Sequence, residues 1–293
     1  MSTKGVVMVI TNEMKLPQVL VDMCDVKPHN AEGEISATTL ENGVREILLT
    51  KRHWGEMTED VSDRIWALFG TAVHALLERE APDTFTEERF EKQIGKYKVT
   101  GKLDCYDMQQ KIIFDYKTAT TWKYKFGDFE DWKFQGLVYA WLLKQAGLEV
   151  NECRFVAMFK DFSKTKCKTE QNYPNKPVFV YRFDVTESEL KDIERKIIKK
   201  INVLSLSENL TDEELPLCTE KERWTKPAKW AVMKEGRKSA VKLCDTKSDA
   251  ELYLKTMADS KLYLEERKGT DGKCNGYCTC CEFCSYWKEH YSR

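Results

Sequence analysis

Two acidic residues and a lysine occur close together in residues 99–120, "VTGKLDCYDMQQKIIFDYKTAT". Asp104 and Asp115 fall on predicted strands joined by a polar "MQQK" turn, and Lys117 follows Asp115 by two residues, so both share a strand face. Paired carboxylates suit Mg²⁺ or Mn²⁺, and a nearby ammonium group can orient water or balance phosphoryl charge. The trio therefore suits metal-assisted phosphodiester hydrolysis; a surface hairpin with an Asp–Lys pair is the other interpretation.

Three further features lie around this hairpin. Asp115 ends the apolar stretch "KIIF", where a lone carboxylate needs a partner. His74 lies upstream in the predicted helix "FGTAVHALLE". Gln135 and Tyr139 are four residues apart in a predicted helix downstream and so lie on one side of it. Taken singly, the histidine fits a core or surface position, and the Gln–Tyr pair fits an ordinary amphipathic face.

The surrounding chain predicts a mixed sheet with helices on its faces, an α/β fold. Hydrophobic periodicity and turn signals give the elements in order. They are a strand at 6–11, helices at 36–54 and 60–80, strands near 87–98, 100–107 and 111–118, a helix at 130–147, strands at 152–162 and 176–185, and a helix at 186–204. We predict an N-terminal segment 1–35, a core 36–206 and a C-terminal appendage 207–293 with a hairpin and a helix.

Composition limits the function classes. The 293 residues carry a net charge of −1, with 42% hydrophobic and 32% charged residues. No apolar run approaches the roughly 20 residues that span a bilayer, and "GVVMVI" lacks the flanks of a signal peptide. We expect a cytoplasmic protein without membrane contact, whose nucleic-acid affinity would come from a local groove or a metal site.

The order of four short motifs resembles the RecB-like branch of the PD-(D/E)XK nuclease superfamily. The motifs are G-x-x-x-H ending at His74, G-x-x-D ending at Asp104, D-Y-K over 115–117, and Q-x-x-x-Y from Gln135 to Tyr139. That branch includes the nuclease domains of RecB and AddB, CRISPR adaptation nucleases and many phage exonucleases.

The resemblance implies a restriction-endonuclease-like core and a role for each motif residue. His74, Asp104 and Asp115 match the family's Mg²⁺ or Mn²⁺ ligands, with Asp at the last position where Glu is commoner. Lys117 matches the catalytic lysine. Gln135 and Tyr139 match the motif that contacts DNA near the scissile phosphate.

The implied activity is a metal-dependent DNA exonuclease acting at DNA ends. The setting would be recombination, repair or phage DNA processing in a bacterial or phage-infected cell, with free-ended or single-stranded DNA as substrate and a recombinase or helicase as partner. A structure-specific or nicking endonuclease and a catalytically silent DNA-binding subunit are the alternatives, although silent members usually lose the lysine or an acid. Glu88 or Glu91 matches an additional acid of some members; each also fits an exposed strand position.

Five of the eleven cysteines fall in "CNGYCTCCEFC", residues 274–284. Such clustering favours metal binding over a disulfide framework. Cys274, Cys278 and Cys284 form C-x3-C-x5-C, which fits an iron–sulfur cluster, a structural zinc or reduced thiols. A zinc ribbon would usually show two well-separated C-x2-C pairs, and only one such region exists here.

The resemblance adds a [4Fe–4S] cluster, which several RecB-like nucleases hold with one upstream cysteine and three near the C-terminus. Their upstream cysteine precedes the histidine motif, where this chain has Gly43. Cys24 and Cys218 are therefore the candidates for the fourth ligand, and the likeness of "PLCTEKERW" to phage-type members favours Cys218. Cys280 or Cys281 could also replace one of the other ligands.

Basic and aromatic residues alternate in residues 223–242, "RWTKPAKWAVMKEGRKSAVK". Trp224 and Trp230, with Arg237 and Lys238, match the mixture of positive groove and stacking rings that single-strand binders use. A solvated hairpin face with two buried tryptophans explains the same pattern.

Overall fold

The computed structural model of the protein describes residues 8–24, 32–79, 85–86, 88–257 and 259–292. The chain forms two compact units, Met1–Leu210 and Thr211–Arg293. The first unit contains the hairpin with the acidic residues, and the second contains the C-terminal cysteines.

In the first unit, strands and helices alternate along the chain. The strands are β1 Val9–Thr11, β2 Glu34–Ser36, β3 Thr58–Asp60, β4 Phe85–Thr86, β5 Arg89–Ile94, β6 Tyr97–Lys102, β7 Cys105–Asp107, β8 Ile112–Ala119, β9 Glu152–Phe159 and β10 Val178–Asp184. The helices are α1 Gln18–Asp22, α2 Val44–His53, α3 Val61–Arg79, α4 Thr121–Phe126, α5 Glu130–Gln145, α6 Lys164–Thr169 and α7 Glu187–Ser207.

The central sheet has five strands in the order β10-β9-β8-β7-β4. β8 and β9 are parallel, whereas the other neighbours are antiparallel. A parallel pair needs a long crossover, and residues 120–151, with α4 and α5, provide it. The apolar and aromatic residues of β8, β9 and β10 favour strands, and fully buried Ile113 and Phe155 lie in the core. The predicted mixed α/β fold is confirmed.

Helix α5 is the buried helix of this unit. It is buried continuously from Gln135 to Leu143 and packs against β5, β6, β8 and α7. A helix that is apolar on most sides has to be enclosed, which explains why it lies between the sheets. Gly101 of β6 and Gly136 of α5 allow the close approach: a Cβ on Gly101 would lie 2.7 Å from Leu142 Cδ1, and one on Gly136 would lie 2.9 Å from the Phe183 ring.

The second unit is a small α/β assembly. Its elements are α8 Glu220–Arg223, β11 Thr225–Lys226, β12 Lys229–Lys234, β13 Lys242–Cys244, α9 Lys247–Met257, β14 Leu262–Arg267, β15 Thr270–Asp271 and α10 Ser285–His290. β12 lies between β13 and β14, and α9 packs on this sheet. Val232, Cys244 and Ala250 form its core, with Trp230 and Tyr253 packed against them.

Most predicted elements are present. The helices at α3, α5 and α7, including the capping box from Thr186 to Glu189, and the β12–β13 hairpin are confirmed. Residues 6 and 7 of the first predicted strand, residue 80 of the helix predicted over 60–80 and residue 87 of the second predicted strand lie outside the described residues.

Three predicted boundaries are wrong. The helix expected from residue 36 begins at Val44, because residues 34–36 form β2, which pairs with β6. The strand expected over 87–98 is two strands, β5 and β6, which turn at Gly95 with a φ of 56°. Asp104 lies in the bend between β6 and β7 instead of on a strand. None of the described helices has the length and apolar composition needed to cross a membrane.

Candidate active site and cysteine cluster

Asp115 lies in the middle of β8, opposite Phe155 of β9, and only 2% of it is exposed. Burial raises the pKa of this carboxyl to about 6; Lys117 counters the shift and the charge of Asp104 adds to it. Lys117 Nζ lies 2.7 Å from Asp115 Oδ1, yet the geometry is not that of a hydrogen bond, and this buried oxygen accepts none. A buried carboxylate oxygen without a donor is costly unless another partner supplies positive charge.

A hydrogen-bond network connects β8 to α5. Lys117 Nζ donates to Gln135 Oε1 at 2.9 Å. The amide Nε2 of Gln135 donates to the Tyr139 hydroxyl at 2.7 Å and to Asp115 Oδ2 at 3.3 Å. Gln135 and Tyr139 are both buried, and burial raises the pKa of the Tyr139 phenol, so Tyr139 acts as a neutral hydroxyl near neutral pH.

His74 and Asp104 form a second pair beside this network. His74 Nδ1 of α3 lies 3.1 Å from Asp104 Oδ1, while Asp104 Oδ2 accepts a hydrogen bond from the Tyr116 amide at 2.7 Å. The bond to Asp104 raises the pKa of His74, against the opposing effect of burial. One turn earlier, a Cβ on Gly70 would lie 3.3 Å from Thr118 Oγ1, so glycine lets α3 lie against β8.

These six side chains, from three elements and the bend between β6 and β7, are thus neighbours. Their donors suit a divalent cation in kind, because two carboxylates and an imidazole are available and Asp115 has an unbonded oxygen. They do not converge on one point: among the described residues, no three His, Cys, Asp or Glu side chains are gathered in metal-holding geometry. Loading an ion would require the His74 ring nitrogen that binds it to be unprotonated.

The two additional acids have different surroundings. Glu91 of β5 pairs with Lys98 at 3.0 Å. Glu88 is exposed, and its carbonyl accepts a hydrogen bond from Leu103, the residue before Asp104. Glu88 therefore lies on the strand edge beside the site, while Glu91 has an ion-pair partner on its own sheet.

In the second unit, Cys274 has three of the other cysteines around it. Burial raises the pKa of its thiol to about 12, and Cys278, Asp271, Cys218 and Cys284 add to the shift. Cys278 Sγ lies 3.6 Å from the Sγ of buried Cys280. Backbone hydrogen bonds connect the segments of the predicted ligands, from the Lys273 amide to the Arg223 carbonyl at 3.0 Å and from the Cys278 amide to the Lys273 carbonyl at 2.9 Å. Among the described residues the thiols are not arranged as a metal site. Cys24 is buried in the first unit.

No sequence motif indicated the polar centre that organises this segment. Asp271, 4% exposed, accepts hydrogen bonds from Thr225, Tyr286 and Tyr291 and lies 3.3 Å from Arg223 Nε. Arg223 in turn donates to the Cys218 carbonyl. This centre joins the Cys218 segment to the Cys274 loop, and only the charge of an otherwise unremarkable "TDGK" could have pointed to it.

The four residues predicted to contact DNA differ in exposure. Trp224 is 52% exposed and lies against Tyr277, with ring centroids 5.3 Å apart. Trp230 is half-buried against the small core of its unit. Arg237 and Lys238 are exposed. Only Trp224 thus offers an open ring.

The central strand of the mixed sheet carries a buried acid–lysine pair, with a histidine from α3 beside it. The chain belongs to the PD-(D/E)XK nuclease superfamily, whose sequence profile matches residues 25–288. Membership supports a nuclease function, and members generally use divalent ions such as Mg²⁺ or Mn²⁺.

Three solved structures are similar to the chain, although remotely. SSO0001 is 16% identical, with 66% of this chain and 84% of that chain covered and a TM-score of 0.45. LHK-Exo in complex with dAMP, the alkaline exonuclease of Laribacter hongkongensis, is 13% identical, with 60% of this chain and 89% of that chain covered and a TM-score of 0.40. A phage-related exonuclease from Haemophilus somnus 129PT is 13% identical, with 64% of this chain and 92% of that chain covered and a TM-score of 0.37. No curated protein matches the chain.

Proposed function

We propose that the protein is a divalent-metal-dependent DNA nuclease that hydrolyses phosphodiester bonds at DNA ends. The observation that carries the proposal is the buried Asp115 carboxylate, with Lys117 Nζ 2.7 Å from its unbonded oxygen and His74 and Asp104 beside it. Superfamily membership supports the nuclease chemistry, and the order of the four motifs supports the RecB-like branch.

The residues take the following parts. His74, Asp104 and Asp115 would hold Mg²⁺ or Mn²⁺; a bound ion stabilises charge on the phosphoryl oxygens and activates water. The Lys117 ammonium orients the attacking water. Gln135 fixes the position of this ammonium by accepting its hydrogen bond at 2.9 Å. Gln135 and Tyr139 orient the DNA strand.

A digestion experiment tests this function. End-labelled linear DNA and covalently closed circular DNA, each single- and double-stranded, are incubated with Mn²⁺ and with EDTA. Loss of linear DNA alone, absent with EDTA, indicates an exonuclease, and the label released first gives its polarity. Cutting of circles would instead indicate an endonuclease, and binding without any cutting would indicate a silent subunit.

Matched variants locate the site in the same experiment. Lys117→Ala and Asp104→Ala should each lower the cleavage rate by about 10²-fold or more, since each removes charge stabilisation, and leave the fold and DNA binding intact. Lys144 lies on α5 and, among the described residues, forms an exposed ion pair with Glu187 of α7. The control variant Lys144→Ala loses this pair and should cleave DNA normally. Retained cleavage in Lys117→Ala or Asp104→Ala would refute the site.

For the second unit we propose a structural [4Fe–4S] cluster held by Cys218, Cys274, Cys278 and Cys284. The partial burial of all four cysteines and the backbone hydrogen bond from Lys273 to Arg223, which joins the Cys218 and Cys274 segments, support it, because metal binding would stabilise this part of the fold. Protein purified without oxygen should contain iron and sulfide, both reduced in Cys218→Ser. Zinc in place of iron would favour a structural zinc site, and metal-free protein would refute both.

A further inference from the structure

Large aromatic side chains are exposed on α3, next to a lysine. Trp66 and Phe69 are 56% and 46% exposed, and their rings meet edge to face with centroids 6.3 Å apart. Lys160 Nζ lies over the Trp66 ring at 4.2 Å from its centroid. Among the described residues, Lys160 has no carboxylate partner, so its charge is available beside the exposed aromatic pair.

A second exposed pair lies on α4. Trp122 and Phe126, 59% and 71% exposed, are stacked with centroids 5.1 Å apart. Lys125 Nζ lies 5.5 Å from the Trp122 centroid and also pairs with Glu170 at 2.7 Å. Single exposed apolar residues are ordinary on proteins, but two open ring pairs, each with a lysine, form a patch that usually marks an interaction site.

Both pairs lie at the carboxyl end of β8 and β9. The Lys160 amide, just after β9, donates to the carbonyl of Ala119, the last residue of β8. The next residue, Asp161, accepts hydrogen bonds from the amide and hydroxyl of Thr121 at 2.7 and 3.0 Å. These bonds fix Lys160, which covers the Trp66 ring, beside the start of α4, where Trp122 follows.

Lys117 lies two residues before this end of β8. Asp115 and Lys117 precede Ala119 on β8. Trp66 lies eight residues from His74 along α3, a rise of about 12 Å at 1.5 Å per residue. A strand held at the active site would therefore continue within reach of the rings.

We propose that Trp66, Phe69, Trp122 and Phe126, with Lys125 and Lys160, form an aromatic platform that binds the single-stranded part of the DNA substrate. Unpaired bases would stack on the rings, and the lysines would contact the phosphates. Paired bases already stack on one another, so the platform selects single strands or frayed ends. This inference rests on the proposed nuclease function.

Binding is measured in the full-length chain with Lys117→Ala as background, which prevents cleavage. The probes are a labelled oligothymidylate and a labelled blunt duplex of equal length. Their binding is measured by fluorescence anisotropy. Trp66→Leu and Trp122→Leu should each weaken oligothymidylate binding at least about fivefold, the change that corresponds to losing about 1 kcal/mol of stacking. Duplex binding should stay unchanged.

Two variants serve as controls. Trp66→Phe keeps a ring and should bind the single strand nearly as the background protein does. Leu76→Ala, which removes a side chain on the same helix whose residue is also 56% exposed, should have no effect. Circular dichroism of every variant checks the fold; because all of these positions are exposed, the substitutions leave the core intact.

Each outcome decides the proposal. Unchanged oligothymidylate binding in both leucine variants overturns it, as does an equal loss for the duplex or a loss in Leu76→Ala. If the wild-type chain cleaves DNA and both leucine variants bind oligothymidylate normally, the aromatic platform is overturned and the proposed nuclease function stands. A chain that neither binds nor cleaves DNA overturns the proposed nuclease function with it.

Discussion

Lys117 Nζ donates a hydrogen bond to Gln135 Oε1 at 2.9 Å, which joins the strand and helix motifs. The same amide reaches the Tyr139 hydroxyl and the Asp115 carboxylate through Nε2. A single side chain of α5 therefore positions the lysine and one of the acids of β8. It acts on the lysine from a buried helix, which is more rigid than a loop.

Gln135→Met should slow cleavage by about 10²-fold, because it keeps the length of the side chain but removes the contacts that position Lys117. The loss should appear in kcat, with KM for linear DNA little changed. Tyr139→Phe removes one acceptor and should cost tenfold or less, in line with about 1 kcal/mol per hydrogen bond. Normal kcat in Gln135→Met would mean that Lys117 is held without it.

Gly101→Ala should destabilise the first unit by about 1–3 kcal/mol through overpacking. The added Cβ would lie 2.7 Å from Leu142 Cδ1 and 2.8 Å from the Tyr139 ring, so α5 has to move away from β6. Chemical denaturation measures the loss. The matched control is Gly276→Ala, where a Cβ meets nothing within 4 Å; equal stability of the two variants would contradict the packing argument.

The elements with strong local signals are those that the sequence predicts well. Helix α7 begins at Thr186 because its hydroxyl and the Glu189 carboxylate cap each other's backbone amides, a signal contained in four residues. Helix α5 and strand β8 contain apolar runs that predict the same type of element in most structural contexts. Four residues of the candidate site lie on β8 and α5, which is why their motifs place Asp115 and Lys117 beside Gln135 and Tyr139.

The misplaced elements depend on partners distant in sequence. Ser36 has a cap-like neighbourhood, but it pairs with Thr100 in a parallel ladder, and no local pattern reveals such a partner. Asp104 leaves the strand because its carboxylate bonds the Tyr116 amide, a contact that exists only after the hairpin forms. The aromatic platform was likewise hidden, since periodicity alone assigns Trp66 to an apolar helix face.

Arg52→Met should destabilise the first unit by about 1.5–3 kcal/mol, the range for hydrogen bonds from a charged donor. Arg52 Nη2 donates to the carbonyls of Glu208 and Leu210 at 3.0 and 2.8 Å, at the C-terminal end of α7, where a positive charge also complements the helix dipole. Urea denaturation measures the change.

The control for this prediction is Arg195→Met on the same helix. Within the described part of the chain, Arg195 pairs only with Asp192, one turn away, and its side chain is 78% exposed, so the loss should stay within about 0.5 kcal/mol. Equal losses in the two variants would show that Arg52 contributes no more than a surface charge.

Asp271→Asn should lower the free energy of unfolding of the second unit by about 3 kcal/mol at neutral pH, because it leaves Arg223 without its buried counter-charge. Burial by itself would raise the pKa of Asp271, but hydrogen bonds from Thr225 and Tyr286 and the contact with Arg223 outweigh it and lower the pKa. A carboxyl whose pKa is lower in the folded state stabilises the fold above its unfolded pKa, near 3.9. That stabilisation is lost as the pH falls through the folded value.

The difference in unfolding free energy between wild type and Asp271→Asn should therefore be full at pH 7 and shrink as the pH falls below about 4. Urea titrations at several pH values, followed by the fluorescence of Trp224 and Trp287 in a chain whose other tryptophans are phenylalanine, would report on this unit. Asp245→Asn provides the comparison, since Asp245 pairs with Lys229 at a side-chain exposure of 79% and should change stability little at any pH. A pH-independent difference for Asp271→Asn would show that the carboxylate contributes through shape and not through its charge.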